Sequence, residues 1–387
     1  MATSEKQLPD WVPSGGGEGF TTEVMPGVVG GHDGLPGSGV GTNTPTRPVV
    51  KRRQLSVEDY VAGVIAGDRA ILGRAITLVE SNNPEHAAIA REVLKSLQPR
   101  TGGAVRVGIT GVPGAGKSTF IESLGTWLCG QGHKVAVLAV DPSSTRTGGS
   151  ILGDKTRMEQ LSRLDTAFIR PSPSGGTLGG VARKSRETLL LCEAAGFDVV
   201  LVETVGVGQS EVTVRSMVDF FLLILIAGAG DELQGIKKGV IELADMILVN
   251  KADGDNLPRA NAARAEYERV LHYLRPATEG WQTHAHTVSA LTGEGVPEAW
   301  AVVQKFAETM KISGQFTTRR HSQDVAWLHA LIEEALRQRF RQHPTVQALL
   351  PGLETAVMQG EIAASLAVEQ LFAQVDDTLL RSGKAQT

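Results

Sequence analysis

The chain has 387 residues, 41% of them apolar, and its 38 Lys and Arg against 42 Asp and Glu give a formal net charge of −4. This length allows one large domain or two to three smaller ones with a real core, and the slightly acidic balance argues against nucleic acid as the main partner. No apolar run approaches the roughly 18 residues of a membrane span, and two cysteines predict a reducing, cytoplasmic setting without a disulfide framework.

The amino-terminal part of the chain divides into a tail and a helical segment. Residues 1–50 contain eleven Gly and six Pro without periodic apolar positions, which predicts a disordered tail. Residues 51–103 show helical spacing: Ser56-Val-Glu-Asp59 is a variant of the capping box, and Asn83 followed by Pro84 is typical of a helix start. We therefore expect a small helical lead-in before the main domain.

Residues 104–312 alternate short apolar runs with helical stretches. The runs are continuously apolar, which indicates strands buried on both faces of a mostly parallel sheet covered by helices. The predicted strands lie near 105–110, 134–140, 166–170, 198–204, 220–227, 246–250 and 284–288. In such an α/β fold, ligand loops belong at the carboxyl ends of the strands.

A phosphate-binding loop follows the first of these strands. Gly111-Val-Pro-Gly-Ala-Gly-Lys117-Ser118 matches G-x-x-x-x-G-K-[ST] between a predicted strand and a predicted helix, which is the context of a P-loop NTPase. We expect backbone N–H groups and the helix amino terminus to hold the phosphates, Lys117 to reach the β and γ oxygens, and the Ser118 hydroxyl to bind Mg²⁺. The predicted phosphate-binding residues are Gly111, Gly114, Ala115, Gly116, Lys117, Ser118 and Thr119.

Three carboxylates at or after strand ends are candidate magnesium ligands. Glu203 ends the strand 198–204, and Gly206 lies three residues further on, as in the GTPase element that faces Mg²⁺ and the γ-phosphate, although most GTPases have Asp in place of this Glu. Asp141 and Asp154 lie in loops and could meet Mg²⁺ directly or through water. Capping is the alternative role for these two aspartates, and residue type alone leaves both roles open.

The loop 228–239 follows another predicted strand and is dense in glycine and charge. It is too polar for the core and too long for a simple turn, which favours a mobile loop near the nucleotide. A solvated surface loop is the alternative.

A guanine-selecting motif follows the strand at 246–250. A carboxylate at Asp253 can accept from both the ring N–H and the exocyclic NH₂ of guanine, whereas adenine leaves it unpaired. The Ser-Ala-Leu segment at 289–291 can bring a backbone N–H to guanine O6. The alternative for Asn250 and Asp253 is a strand-end turn with an Asx cap. The predicted guanine-binding residues are Asn250, Lys251, Asp253, Ser289, Ala290 and Leu291.

After residue 312 the strand signals stop, and residues 313–387 have the pattern of a helical arm. A last helix is expected through 362–379. An apolar stripe away from the main domain needs a second surface to cover it, which favours self-association over folding back onto the same chain. The stripe consists of Val325, Leu328, Ile332, Leu336 and Phe340.

Several longer segments are specific enough to carry a family resemblance. They lie at 141–144, 148–158, 170–180, 203–211 and 228–238, and they include Asp-Pro-Ser-Ser, Gly-Gly-Ser-Ile-Leu-Gly-Asp-Lys-Thr-Arg-Met and Glu-Thr-Val-Gly-Val-Gly-Gln-Ser-Glu. Over roughly residues 55–385, the chain resembles the MeaB/MMAA family, the G-protein chaperones of methylmalonyl-CoA mutase. Glu203 matches the glutamate for which this class of SIMIBI GTPases is named.

The resemblance implies a homodimer formed through the C-terminal helices, and GTP hydrolysis that is slow alone and faster on the mutase. It also implies gating of adenosylcobalamin loading and ejection of damaged cofactor. The loop 228–239 then corresponds to the family's third switch, which relays the docked mutase to the nucleotide. The expected catalytic residues are Lys117, Glu203, Gly206, Asp231, Gln234 and Lys237, and the expected metal ligands are Ser118, Asp141, Asp154 and Glu203.

A metallochaperone GTPase of the nickel-insertion type is the alternative, because it shares the fold class. Such proteins need His- or Cys-rich sites, and this chain has two isolated Cys and nine scattered His, with His284 and His286 as the nearest pair. The Asp-x-His-x-x-Gly signature of cobalamin binding is absent from the sequence, so cobalamin is expected only on the partner mutase. Methylmalonyl-, isobutyryl-, ethylmalonyl- and 2-hydroxyisobutyryl-CoA mutase all stay open as that partner.

Overall fold

The computed structural model describes residues 55–140, 158–171, 178–204, 210–228 and 238–384. This part of the chain begins with the predicted lead-in helices α1 (Val57–Ile65), α2 (Arg69–Glu80) and α3 (Pro84–Leu97). The Ser56 hydroxyl accepts from the Asp59 N–H and the Asp59 carboxylate accepts from the Ser56 N–H, both at 3.1 Å, and Asn83 Oδ1 accepts from the Glu85 N–H at 2.9 Å. These predicted caps satisfy N–H groups that have no partner within the helix, which fixes where α1 and α3 begin.

A parallel sheet of seven strands forms the centre of the described residues, as the continuous apolar runs predicted. The strands are β1 (Val105–Gly111), β2 (Val135–Val140), β3 (Ala167–Arg170), β4 (Val199–Thr204), β5 (Phe220–Ile226), β6 (Met246–Asn250) and β7 (His284–Thr287). Their order is β3-β2-β4-β1-β5-β6-β7, and all neighbours run parallel. This order places β1 at the centre, so the loops after β1, β4 and β6 meet at one edge.

Helices cover both faces of the sheet. Between the strands lie α4 (Lys117–Gly130), α5 (Glu159–Arg163), α6 (Leu178–Ala194), α7 (Ser210–Arg215), α8 (Lys238–Ile241) and α9 (Leu257–Leu271), and α10 (Val296–Ile312) follows β7. One hydrophobic cluster joins a face of the sheet to α4, α9 and α10 and includes Phe120, Phe220 and Phe306. A second cluster joins the other face to α6, α7 and the lead-in and includes Leu72 and Val200. The lead-in helices pack on α6, so the lead-in is a further layer of the fold outside that helix.

The C-terminal arm contains α11 (Gln315–Gln342), α12 (Pro344–Met358) and α13 (Ala364–Lys384), where the apolar spacing predicted two helices. The missed helix, α12, packs against α13 through Val346 and Leu371. The rings of Phe340 and Phe372 stack with centroids 4.8 Å apart, which joins α13 to the end of α11. No helix in the described part of the chain is long and apolar enough to cross a membrane.

The predicted stripe on α11 lies at the surface of this chain. Four of its residues are between 45% and 60% exposed, namely Val325, Leu328, Ile332 and Leu336. None of the residues of α11 is buried. Within one chain, therefore, α12 and α13 cover each other and Phe340, while the other four residues of the stripe stay uncovered.

The arm begins at the amino edge of the sheet, opposite to the strand ends that carry the motifs. Arg320 donates two hydrogen bonds of 2.7 Å to the carboxylate of Asp219, which lies directly before β5. Asp245 lies directly before β6, is fully buried and pairs with Arg215 at 2.8 Å. Arg319 approaches the same Asp245 carboxylate at 3.9 Å. Buried charges are tolerated when they are paired in this way, so the first turns of α11 are firmly joined to the sheet.

Candidate functional site

The candidate site lies at the carboxyl edge of the sheet, and its first element is the loop after β1. A Cβ on Gly111 would lie 2.1 Å from the Ile224 carbonyl oxygen, and a Cβ on Gly116 would lie 2.5 Å from Asn250 Nδ2. Gly116 also has a φ of +86° and is the N-cap of α4, a backbone conformation that only glycine adopts freely. The predicted phosphate-binding loop is thus held against β5 and against the guanine motif, in a form that larger residues would disrupt.

Lys117 is the first residue of α4 and lies over this loop. Its Nζ donates to the carbonyl oxygens of Gly111 at 2.8 Å and Val112 at 3.3 Å. The first turn of α4, which also contains Ser118 and the exposed Thr119, has no acidic residue. The Lys117 ammonium and the amino end of α4 therefore both place positive charge at the phosphate-binding loop. This charge suits the β- and γ-phosphates of a nucleotide.

Glu203 and Ser118 meet beside the loop. The Ser118 hydroxyl donates to Glu203 Oε1 at 3.0 Å, and Glu203, near the end of β4, is only 5% exposed. Hydroxyl and carboxylate oxygens are the donors that Mg²⁺ prefers, and Mg²⁺ takes its other ligands from phosphate and water. Among the described residues no group of three or more His, Cys, Asp and Glu could hold a metal ion. The two described donors, Ser118 and Glu203, therefore fit a Mg²⁺ ion that a nucleotide also binds.

Some predicted residues lie outside the described part of the chain, and their roles stay predictions. The other carboxylate next to β4, Asp198, lies directly before the strand, at the amino edge of the sheet. It accepts from the Lys134 N–H at 2.7 Å and pairs with His133 at 2.6 Å. The residues outside the described ranges are Asp141, Asp154, Gly206, Asp231, Gln234 and Lys237.

Asn250 joins the phosphate loop to the loop after β7, a function that the motif alone did not predict. The side chain is 2% exposed. Its Nδ2 donates to the Ala115 carbonyl at 2.7 Å, and its Oδ1 accepts from the Ala290 N–H at 3.0 Å. Buried amides with both ends hydrogen-bonded hold their neighbours in one arrangement. Asn250 therefore positions both predicted nucleotide loops, and the Ala290 N–H is already bonded to it in this structure.

Asp253 is held by the loop after β7. The Ser289 hydroxyl donates to Asp253 Oδ2 at 2.5 Å, and the same oxygen of Ser289 accepts from the Thr292 N–H at 3.2 Å. Asp253 makes no side-chain capping bond to the turn Gly254–Asn256 that follows it, so the Asx-cap alternative does not describe this residue. Asp253 is half-buried, and its carboxylate is the group that the motif predicts to accept from guanine.

The remaining residues of the guanine motif are exposed. Lys251 has a φ of +62°, the only positive φ of a non-glycine residue in the described ranges, and Asn256 Nδ2 donates to its carbonyl at 2.7 Å. Leu291 is 82% exposed. A strained residue that its neighbours hold in place is typical of functional sites.

The two histidines raised by the nickel alternative belong to the edge strand β7. His284 Nδ1 bonds Glu268 Oε1 at 2.6 Å, and Glu268 Oε2 accepts from the Ala285 N–H at 2.8 Å. Burial and the neighbouring His284 lower the pKa of His286. Glu268 thus caps the exposed edge of the sheet, and this cluster is a structural feature of the edge strand.

Comparisons with known proteins agree with these features. The family model described as "Methylmalonyl Co-A mutase-associated GTPase MeaB" matches residues 72–345. A protein of Caulobacter vibrioides named putative GTPase is 57% identical over 319 residues, which are 82% of this chain and 98% of that protein. A Mus musculus protein named methylmalonic aciduria type A homolog, mitochondrial, is 44% identical over 84% of this chain and 81% of its own length. A crystal structure titled LAO/AO transport system kinase superimposes with a TM-score of 0.66 at 40% identity, covering 83% of this chain and 97% of the other.

Proposed function

Since the chain belongs to the MeaB family of GTPases, we propose that it couples GTP binding and hydrolysis to the loading of adenosylcobalamin into methylmalonyl-CoA mutase or a close relative. In this role it also protects or reactivates the mutase. The family match over residues 72–345 carries the proposal. The geometry of the phosphate and guanine loops supports the part of it that concerns GTP binding. Adenosylcobalamin is bound by the mutase and reaches this chain only through it.

Each described site residue has a distinct task in this proposal. Lys117 stabilises charge on the β- and γ-phosphate oxygens from its place over the loop. Ser118 and Glu203 hold Mg²⁺, which when bound neutralises the charge that develops between these phosphates. Asp253 accepts from guanine, while Asn250 keeps the phosphate and guanine loops at a fixed distance.

Hydrolysis by the chain alone is expected to be slow, because valine and not glutamine directly follows Gly206. Many GTPases use a glutamine there to orient the attacking water. We place the missing contribution in the loop 228–239, where Lys237 turns toward the γ-phosphate or Glu203 only when a mutase docks. Asp231 and Gln234 belong to the same proposed relay.

The test is GTP turnover with and without saturating methylmalonyl-CoA mutase. Lys237→Ala should keep the basal rate within about threefold and lose stimulation by a factor of about 10²–10³, which is typical for removal of one charge-stabilising contact. Lys305→Ala, an exposed lysine on α10, is the matched control. If Lys237→Ala is stimulated as strongly as the unmodified chain, the loop is not the relay. If no acyl-CoA mutase stimulates the unmodified chain, the chaperone function is wrong.

A homodimer through the arm belongs to the same proposal. Four of the five stripe residues of α11 are uncovered in the single chain, and a second copy of the arm offers an apolar surface of the same kind. Sedimentation analysis of Leu328→Asp with Leu336→Asp should show monomers. Gln338→Asp, which adds a charge to an exposed position of the same helix, should leave the dimer intact. A monomeric unmodified chain at micromolar concentration would rule out this interface.

A further inference from the structure

Thr110 and Thr204 are buried polar residues at the ends of β1 and β4, and the proposed function gives them no task. They are 1% and 0% exposed, and the Thr204 hydroxyl donates to Thr110 Oγ1 at 2.8 Å. Valine has the same shape and would pack there without a hydroxyl to satisfy. Since a buried hydroxyl costs free energy unless it is bonded, core packing alone does not explain why both positions carry one.

The hydroxyl bond continues the connection between β1 and β4 beyond their backbone pairing. That pairing ends with Ile109 opposite Glu203, and Thr110 and Thr204 are the next residue of each strand. On their outer sides, β4 stays paired with β2 through Thr204, and β1 stays paired with β5 through Gly111. The two threonines therefore join the strands at the level where each is about to enter a loop of the nucleotide site.

The two threonines also lie next to residues of the proposed site. Thr110 precedes Gly111, whose carbonyl accepts from the Lys117 ammonium, and Thr204 follows Glu203, whose carboxylate accepts from Ser118. Because successive side chains of a strand point to opposite faces, Thr204 cannot present its hydroxyl where Glu203 presents its carboxylate. Any effect of the pair on the nucleotide must therefore pass through the neighbouring residues.

We propose that the hydrogen bond between Thr204 and Thr110 is a positioning device that sets the distance between the phosphate-binding loop and Glu203. It acts on Mg²⁺-dependent hydrolysis and not on guanine binding, which depends on Asn250 and Asp253. This inference rests on the proposed magnesium role of Glu203.

The decisive variant replaces both threonines by valine. When both partners of a buried hydrogen bond are replaced by apolar groups of the same shape, stability changes little, so Thr110→Val with Thr204→Val should melt within a few degrees of the unmodified chain. Its kcat for GTP should fall by about 10- to 100-fold, as a displacement of catalytic groups by less than about 1 Å can cause. The Mg²⁺ concentration for half-maximal rate should rise, while GDP affinity in EDTA should stay within about threefold.

Two matched variants separate positioning from packing. Thr204→Ser keeps the hydroxyl and should keep kcat within about threefold. Thr188→Val changes another buried threonine, whose hydroxyl has no hydrogen-bond partner among the described residues, and should change neither kcat nor the Mg²⁺ requirement. If the double valine variant does not fold, Thr204→Val alone serves as its replacement in the same assay.

Glu203→Gln distinguishes the possible failures. If Glu203→Gln loses activity while the double valine variant keeps kcat and Mg²⁺ dependence, the positioning inference is wrong and the proposed site stands. If Glu203→Gln itself leaves kcat and the Mg²⁺ dependence unchanged, the magnesium role of Glu203 is wrong and the inference falls with it. Loss in both variants with unchanged GDP affinity supports the inference.

Discussion

Removal of the Asn250 side chain should weaken nucleotide binding without any loss of direct contact to a phosphate. In Asn250→Ala, the Ala115 carbonyl and the Ala290 N–H lose partners at 2.7 and 3.0 Å in a place where Asn250 is 2% exposed. Each buried polar group left unpaired costs about 1–3 kcal/mol. The two loops relax to lower this cost in the free chain, and GDP binding must then restore their positions. We therefore expect about 2–4 kcal/mol to be lost from binding, which corresponds to roughly 30- to 1,000-fold weaker binding.

Calorimetry of GDP binding in the presence of Mg²⁺ measures this loss directly. The rise in melting temperature at a fixed GDP concentration is a second measure, because a ligand stabilises only as far as its concentration exceeds its dissociation constant. Asn250→Asp keeps the acceptor for the Ala290 N–H but places a carboxylate against the Ala115 carbonyl, so it should bind GDP no better than Asn250→Ala.

Asn261→Ala is the matched control, since it removes the same side chain from an exposed position of α9. It should bind GDP as the unmodified chain does. A dissociation constant within about threefold of normal for Asn250→Ala would refute the reasoning, because it would mean that the two loops keep their positions without this amide.

Three further predictions concern single side chains. Lys117→Ala should abolish GTP turnover while circular dichroism shows an intact fold, and an unaltered rate would make the loop structural. Asp253→Asn should shift preference from GDP toward xanthosine diphosphate in competition binding, since the new NH₂ donates to the xanthine carbonyl; unchanged preference would exclude Asp253 from base recognition. Burial raises the pKa of Glu187 from 4.5 to about 7, so the unfolded state ionises first and stability should fall as pH rises from about 4.5 to 7. This loss, on the order of 3 kcal/mol, should be absent from urea titrations of Glu187→Gln, and persistence of the pH dependence would assign it to other groups.

Much of the fold follows from local chemistry. The apolar runs that predicted strands near 105–110 and 246–250 correspond to β1 (Val105–Gly111) and β6 (Met246–Asn250), because strands buried on both faces leave no room for polar residues. The caps at Ser56 and Asn83 placed helix starts correctly, because a side chain that accepts from the first N–H groups of a helix lies next to them in the sequence. The strand order and the packing of the lead-in on α6 are long-range features, and no local pattern encodes them.

Other parts of the structure depend on contacts that spacing does not show. The helix α12 begins at Pro344 and contains Pro351, and a proline within a helix weakens the local signal. The motif indicated that Asn250 meets guanine, but its bonds to two loops appear only when β6 and β7 lie side by side. The pairing of Thr110 with Thr204 likewise depends on the register of β1 with β4, which adjacent residues in the sequence cannot reveal.

The transfer of adenosylcobalamin to cofactor-free methylmalonyl-CoA mutase, followed by its absorbance change, tests the central claim most directly. The transfer should be measured with GTP, with GDP and without nucleotide. The same three measurements on Lys117→Ala are the comparison. We predict that the unmodified chain makes cofactor loading depend on the nucleotide and that Lys117→Ala does not. A loading rate that is the same with and without the chain, under every nucleotide condition, would contradict the proposed function.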